Sequence, residues 1–148
     1  MKEIPFEERI LAALSHIGIV MYLTGVILPG VVWTVYKDKS KYIKLQALQA
    51  MTFQLALMLA FMLGMVAYIA SFGLIFLTAF MMPQSGIASA ASIAVPFAII
   101  IAILAIYAIS IIYGLYAAYS TYLGRDFRYI LIGNKIAEKL RQKSNTAP

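Results

Sequence analysis

The amino-acid sequence predicts an all-α integral membrane helical bundle of four helical segments, in which a short amino-terminal helical hairpin precedes two long spanning helices. The run from Leu45 to Gly124 contains no Asp, Glu, Lys, Arg or His. It is long enough for two spans, because one span takes roughly 20 apolar residues. Apolar residues make up 63% of the 148 residues, against roughly half in soluble domains. We therefore expect a single membrane domain over residues 1–148.

The charged residues flank these apolar segments. The chain has 12 Lys and Arg against 6 Asp and Glu, which gives a formal net charge of +6. Bases at the ends of apolar segments set membrane topology, so their excess does not indicate a nucleic-acid partner. The absence of Cys excludes a disulfide or a cysteine metal site.

The first apolar stretch is interrupted by Gly25 and Pro29. Proline suits the first turn of a new helix better than the middle of an old one. The pattern therefore predicts a hairpin over residues 6–37, with one helix over about 6–23 and a second over about 28–37. A single kinked span is the alternative, because membrane helices tolerate Pro and Gly.

The densest basic cluster follows, from Lys37 to Lys44. Such loops stay in the cytoplasm, so we expect a solvated loop that fixes the topology. Attraction to anionic lipid or to an acidic partner is the alternative.

A long helix is predicted over residues 40–80. At about 100° per residue, one stripe of this helix about 80° wide begins with aromatic and polar side chains and continues with small ones. Small residues let two helices approach closely in lipid. We therefore predict a helix-packing face that is buried in protein and consists of Ala56, Ala60, Gly64, Ala67 and Ser71.

The cytoplasmic end of the same helix is polar. Its amide groups are able to bond to neighbouring backbone or to a partner. We predict partner contacts, or the polar mouth of a channel, at Tyr42, Lys44, Gln46, Gln49, Phe53 and Gln54.

An external loop is predicted over residues 81–95, and the last span over 96–123 with Pro96 in its first turn. Two further patterns lie in this part of the chain. A second small-residue stripe, expected to pack on the first, consists of Ala91, Ala94, Ala98, Ala102 and Ala105. An interfacial aromatic belt is expected from Tyr113, Tyr116, Tyr119 and Tyr122.

A basic cytoplasmic tail is predicted over residues 124–148. Apolar residues such as Ile130, Leu131 and Ile136 alternate there with Lys and Arg, which suits a short interfacial helix on an anionic leaflet. Both termini are then cytoplasmic, and the protein is expected in the cell membrane.

Nothing in the sequence points to catalysis or to a cofactor. Intramembrane chemistry needs paired carboxylates, a nucleophile with a base, or clustered ligands, and the long apolar run holds no ionisable acid or base. His16 is the only histidine, and a hydrogen-bonded packing role is favoured for it over a ligand or a proton relay.

Several short motifs resemble a known family. The segment Tyr42-Ile-Lys-Leu-Gln-Ala-Leu-Gln-Ala-Met-Thr-Phe-Gln54 is similar to a helix start in the family of the twenty-kilodalton subunit of the chloroplast inner-envelope translocon and its small prokaryotic relatives. The other similar positions are His16, Pro29, Trp33, Gly124, Arg128 and Tyr129. The resemblance implies a four-helix membrane protein with both termini in the cytoplasm. By itself it does not imply translocation.

The predicted function is that of a non-catalytic accessory or structural subunit of a membrane complex, with a link to protein translocation or insertion among the options. The alternative is a small homo-oligomeric channel or carrier. The expected partners are the lipid bilayer, other membrane subunits or further copies of the chain, and anionic lipid at the basic segments.

Overall fold

The computed structural model describes residues 4–81 and 86–145, and every regular element in those two ranges is helical. The helices are α1 (Phe6–Ile17), a 3-10 helix (Gly18–Thr24), α2 (Ile27–Tyr36), α3 (Lys41–Met81), α4 (Gly86–Tyr122) and α5 (Gly133–Asn145). The all-α class is confirmed, but the count of four segments is one short. The basic tail contributes α5, because its apolar and basic residues alternate with helical spacing.

Two helices are long and apolar enough to cross a membrane. These candidate spans are Lys41–Met81 and Ser92–Tyr122. In the most apolar 18-residue stretch of each helix, only 6% and 17%, respectively, is buried inside the protein. A core helix of a soluble protein would be mostly buried, so the exposed apolar surface favours contact with lipid. By contrast, α1 with 12 residues and α2 with 10 are too short to span a bilayer.

The first two helices form the predicted hairpin. The hydroxyl of Ser40, just after α2, donates a hydrogen bond of 2.6 Å to the Glu8 carboxylate near the start of α1. The chain has therefore returned to the end at which it began. The first α-helix ends at Ile17 rather than near residue 23, because Gly18 to Thr24 tighten into the 3-10 helix. Pro29 lies in the first turn of α2, where its missing N–H costs no helical hydrogen bond.

The first compact unit consists of the chain up to Ala56 and from Ser110 onwards. Within it α3 and α4 run antiparallel. The Tyr42 hydroxyl donates to the Thr121 carbonyl at one end (3.1 Å), and the ring of Phe53 meets that of Tyr113 edge-on at the other (5.9 Å between centroids).

Two apolar clusters stabilise this unit. The first joins α2 to α3 through Val32, Ile43 and Ala47, with Leu11, Trp33 and Tyr36 packed against it. The second joins α4 to the segment after it through Ala117, Phe127 and Tyr129, with Phe53, Tyr113 and Ile132 packed against it. Phe127 and Tyr129, near the start of the predicted basic cytoplasmic tail, are therefore core residues.

The second unit is Leu57–Ile109. Gly64 of α3 faces Ile103 of α4, and a Cβ on Gly64 would lie 3.0 Å from the Ile103 side chain. The close approach at this glycine agrees with its predicted packing role. The side chains of α3 that are partly or fully covered on this face are Leu57, Phe61, Tyr68, Ser71 and Ile75.

Within this chain the alanines of the predicted small-residue face, Ala56, Ala60 and Ala67, are exposed. At about 100° per residue, the observed contact face is centred about 60° around the axis from the predicted stripe. Large side chains fill most of the contact, and close approach is needed only at Gly64. The described alanines of the second stripe, Ala94, Ala98, Ala102 and Ala105, are exposed as well.

The predicted external loop is too long. Since α4 begins at Gly86, residues 86–95 are helical, and residues 82–85 lie outside the described part of the chain. Pro96 is consequently inside α4 rather than in its first turn. Membrane helices tolerate such a proline where neighbouring groups satisfy the freed carbonyl.

Candidate functional site

A buried polar cluster lies in the first unit and consists of His16, Gln46, Gln49 and Tyr129 with the backbone of Phe127. His16 comes from the last turn of α1, the two glutamines come from the first three turns of α3, and Phe127 and Tyr129 come from the segment after α4. All four polar side chains are buried. Burial of this many polar groups is tolerated only if they are hydrogen-bonded.

Both nitrogens of His16 are bonded within the protein. Nδ1 lies 3.0 Å from the Tyr129 hydroxyl, and Nε2 lies 3.2 Å from Oε1 of Gln46. The Gln46 amide nitrogen donates to the Phe127 carbonyl (3.1 Å) and to the Asp126 carboxylate (3.2 Å), so its Oε1 must accept from His16. The network therefore assigns the proton to Nε2, and Tyr129 donates to Nδ1.

The environment keeps the imidazole neutral. Burial lowers the pKa of His16 to about 4, and the hydrogen bond with Gln46 opposes this shift only in part. Burial also raises the pKa of the Tyr129 phenol, with a further contribution from Tyr113. At neutral pH the pair is an uncharged donor and acceptor, which agrees with the predicted packing role of His16.

Gln49 acts as a backbone partner for the extended segment. Its Oε1 accepts from the Tyr129 N–H (3.2 Å), while its Nε2 donates to the Phe127 carbonyl (3.3 Å). Gln54 is also turned inward and donates to the Ser15 carbonyl (3.3 Å). The three predicted amides thus bond to neighbouring backbone and side chains, and in this structure they do not line a polar mouth.

Aromatic rings enclose the cluster. The Tyr129 ring stacks on Phe53 with 4.2 Å between centroids, and the rings of Tyr113 and Phe127 meet it edge-on at 5.2 Å and 5.0 Å. Tyr113, predicted in the interfacial belt, is therefore partly buried against this aromatic cluster. The other members of the predicted belt, Tyr116, Tyr119 and Tyr122, are exposed.

Two glycines let the extended segment reach the cluster. Gly124 has φ +76°, the left-handed conformation that turns the chain sharply after α4. A Cβ on Gly133 would lie 2.5 Å from Oε1 of Gln49 and 2.8 Å from Cβ of Arg128. The close approach at Gly133 therefore requires a residue without a side chain.

The remaining predicted site residues lie at the edge of the polar cluster or outside it. Arg128 forms a partly exposed ion pair with Asp126 (2.8 Å). The Tyr42 hydroxyl donates to the Arg125 carbonyl (3.0 Å), and Lys44 is partly exposed. Pro29 and Trp33 lie on α2, outside the polar cluster.

Several members of the site were not predicted from the sequence, namely Tyr113, Asp126, Phe127 and Gly133. The motif from Gly124 to Tyr129 marked the segment, but not its partner, because the contacts join residues about 80 positions apart along the chain. Within the described residues, no group of three or more His, Cys, Asp or Glu is placed to hold a metal ion. The arrangement holds α1, α3 and the segment after α4 together through hydrogen bonds.

Comparison with known proteins places the chain in a family. A family model described as the magnetosome magnetite crystal formation protein family matches residues 7–136. No curated protein and no solved structure matches significantly. The match overturns the resemblance to the translocon subunit, which depended on short motifs in an apolar background. Because the match covers most of the chain, the protein belongs to the MamF_MmsF family of magnetosome magnetite crystal formation proteins.

Proposed function

We propose that the protein is a non-catalytic integral component of the magnetosome membrane that supports magnetite crystal formation as an accessory or structural subunit. The family match over residues 7–136 is the observation that supports this role. The two candidate spans, with their largely exposed apolar surface, supply the membrane attachment.

The orientation in this proposal follows from charge. Tyr42, inside the basic cluster Lys37–Lys44, bonds to the carbonyl of Arg125, so both basic segments lie at one end of the first unit. The positive-inside rule puts this end in the cytoplasm. Both termini are then cytoplasmic, and the connection between α3 and α4 faces the vesicle lumen.

The internal hydrogen bonds of the buried glutamines favour an accessory role over a channel. A polar pore needs amide groups that are free to face water, whereas Gln46 and Gln49 use theirs on His16, Tyr129 and Phe127. In our proposal the end of the first unit that carries the basic cluster is a cytoplasmic surface on which other membrane subunits or further copies of the chain assemble.

The test is genetic and microscopic. In a magnetite-forming host that encodes this protein, we expect its deletion to change crystal size or shape in electron micrographs, and the intact gene to restore them. The tagged protein should co-purify with magnetosome membranes. Unchanged crystals in the deletion strain, or a protein confined to another membrane, would overturn the proposal.

A further inference from the structure

Two turns lie at the end of the first unit that is opposite the basic cluster. The first is the start of the 3-10 helix, where Gly18 lies next to the Gln54 amide and Ile19 packs against Gly114. The second follows Tyr129, where the backbone N–H of Ile130 donates to the Tyr113 hydroxyl (3.2 Å). Because Tyr113 and Gly114 are neighbours on α4, both turns lie at the same level.

Each turn presents large apolar side chains to the outside. Ile130 is 81% exposed, Leu131 is 82% exposed and Met21 is 63% exposed. Such exposure in water costs free energy for every side chain that finds no apolar contact. All three residues lie outside the two candidate spans in sequence, and the contacts of their turns with Tyr113 and Gly114 place both turns beside the second span.

The second turn is held rigidly on both sides. Tyr129 is buried in the polar cluster, and Ile132 packs against the same aromatic residues. The N–H of Gly133 also closes the turn by bonding to the Tyr129 carbonyl (2.8 Å). The side chains of Ile130 and Leu131 are therefore fixed outward and cannot fold back onto the core.

A basic helix adjoins this turn. α5 begins at Gly133, and its exposed residues include Lys135, Lys139 and Arg141 against the single acid Glu138. Apolar side chains next to several bases are the features of a surface that inserts shallowly into an anionic leaflet. This charge identifies the partner as lipid with anionic headgroups.

We infer that the turn at Met21 and the turn at Ile130 and Leu131 insert together into the boundary between headgroups and acyl chains of one leaflet, with the bases of α5 on anionic headgroups. The first unit then has a lipid contact of its own, in addition to the two spanning helices. This inference goes beyond the proposed function and does not depend on a role in mineral formation.

The test uses the absence of Cys from the chain. Single cysteines at Leu131 and at Met21 are labelled with an environment-sensitive dye, and the full-length protein is reconstituted into phosphatidylcholine vesicles with and without phosphatidylglycerol. Matched labels at Lys39 and at Phe76 supply an exposed position at the end of the first unit opposite the turns and an exposed apolar position within a candidate span.

We expect the dyes at Leu131 and Met21 to emit at shorter wavelength than the dye at Lys39. Lipids with a spin label near the headgroup should quench them more strongly than lipids labelled at the acyl-chain end. Emission and iodide quenching equal to those at Lys39 would overturn the inference. The emission could instead be blue-shifted, depend on protein density and resist quenching by spin-labelled lipid. That result would overturn the inference and would indicate contact with a second copy of the chain.

A substitution tests the same surface without a dye. Ile130→Ser with Leu131→Ser should leave thermal unfolding in detergent unchanged, because both side chains are exposed. In vesicles the double variant should be cleaved faster by trypsin at the bases of α5 than the parent. Equal cleavage rates in phosphatidylglycerol vesicles would contradict insertion. Since the experiments use purified protein and lipid, their failure is separate from any failure of the proposed role in mineral formation.

Discussion

His16 is buried as a neutral imidazole with both ring nitrogens hydrogen-bonded. A buried polar residue adds little net stability when it is satisfied and costs much when it loses a partner. Its effect here is specific. The segment after α4 can bond to His16, Gln46 and Gln49 in only one register, so the polar cluster fixes where that segment lies.

The first prediction concerns pH. Burial lowers the pKa of His16 from 6.5 to about 4, so between these values the unfolded chain binds a proton that the folded chain does not. The stabilisation is complete above pH 6.5 and is lost as the pH falls towards 4, with a slope of at most about 1.4 kcal/mol per pH unit. Thermal unfolding in detergent from pH 7 to 4 measures the effect.

His16→Gln is the control for this measurement, because it keeps every other titrating group. The variant is expected to be less stable at pH 7, since glutamine cannot reproduce both hydrogen bonds. Its stability should nevertheless fall less steeply between pH 6.5 and 4. Parallel pH profiles for the two proteins would show that His16 is not the group responsible.

The second prediction concerns Gly133. In Gly133→Ala the new methyl group would lie 2.5 Å from Oε1 of Gln49, so the segment must shift and weaken the bonds that Gln49 makes to Phe127 and Tyr129. We expect a loss of about 1 to 3 kcal/mol in the free energy of unfolding, as for other overpacked sites.

Gly73→Ala is the matched control, because nothing lies within 4 Å of a Cβ at that helical position. It should be neutral, or stabilising by about 0.5 to 1 kcal/mol, through the higher helix propensity of alanine. Equal unfolding temperatures for the two variants would refute the close approach at Gly133.

At the level of the helices, the face that α3 uses in the second unit differs from the one expected from small residues. Small residues mark where a close approach is possible, but large apolar side chains are just as suited to a helix contact in lipid. Gly64 is in contact with Ile103, whereas Ala60, one turn earlier, is exposed. In this alanine-rich helix the small residues therefore indicate that a helix contact exists, but they do not indicate which face of the helix makes it.

Gly64→Leu and Ala60→Leu test this face as a pair. The leucine at position 64 must displace Ile103, so we expect a loss of about 1 to 3 kcal/mol by overpacking, visible as lower thermal stability in detergent. Ala60 is exposed, so a leucine at position 60 should change stability little. A larger loss at position 60 than at position 64 would support the original stripe.

At the level of the whole molecule, topology is the property that charge decides. The bases of Lys37–Lys44 and those from Arg125 onwards flank the uncharged run, which contains both candidate spans. An even number of crossings between them returns the chain to one side, and the positive-inside rule selects the cytoplasm.

This orientation predicts the labelling of two single cysteines in sealed vesicles whose cytoplasmic face is outward. Both positions are exposed in the structure, so each reacts once the reagent reaches it. A membrane-impermeant maleimide should therefore react with Lys39→Cys before detergent is added and with Gly86→Cys only afterwards. The opposite order would invert the topology. Immediate reaction at both positions in sealed vesicles would rule out two crossings between them.

The sequence by itself determined the helical class, the two long apolar helices and the placement of the bases. These properties are sums over neighbouring residues, because the transfer of a segment into lipid depends on its own composition. Only the tertiary structure decided that His16 meets Tyr129 across 113 positions of the chain, that the glutamines face inward, and that Gly64 rather than the alanines makes the close contact. Those outcomes depend on how the side chains of distant segments fit together, and local composition does not contain that information.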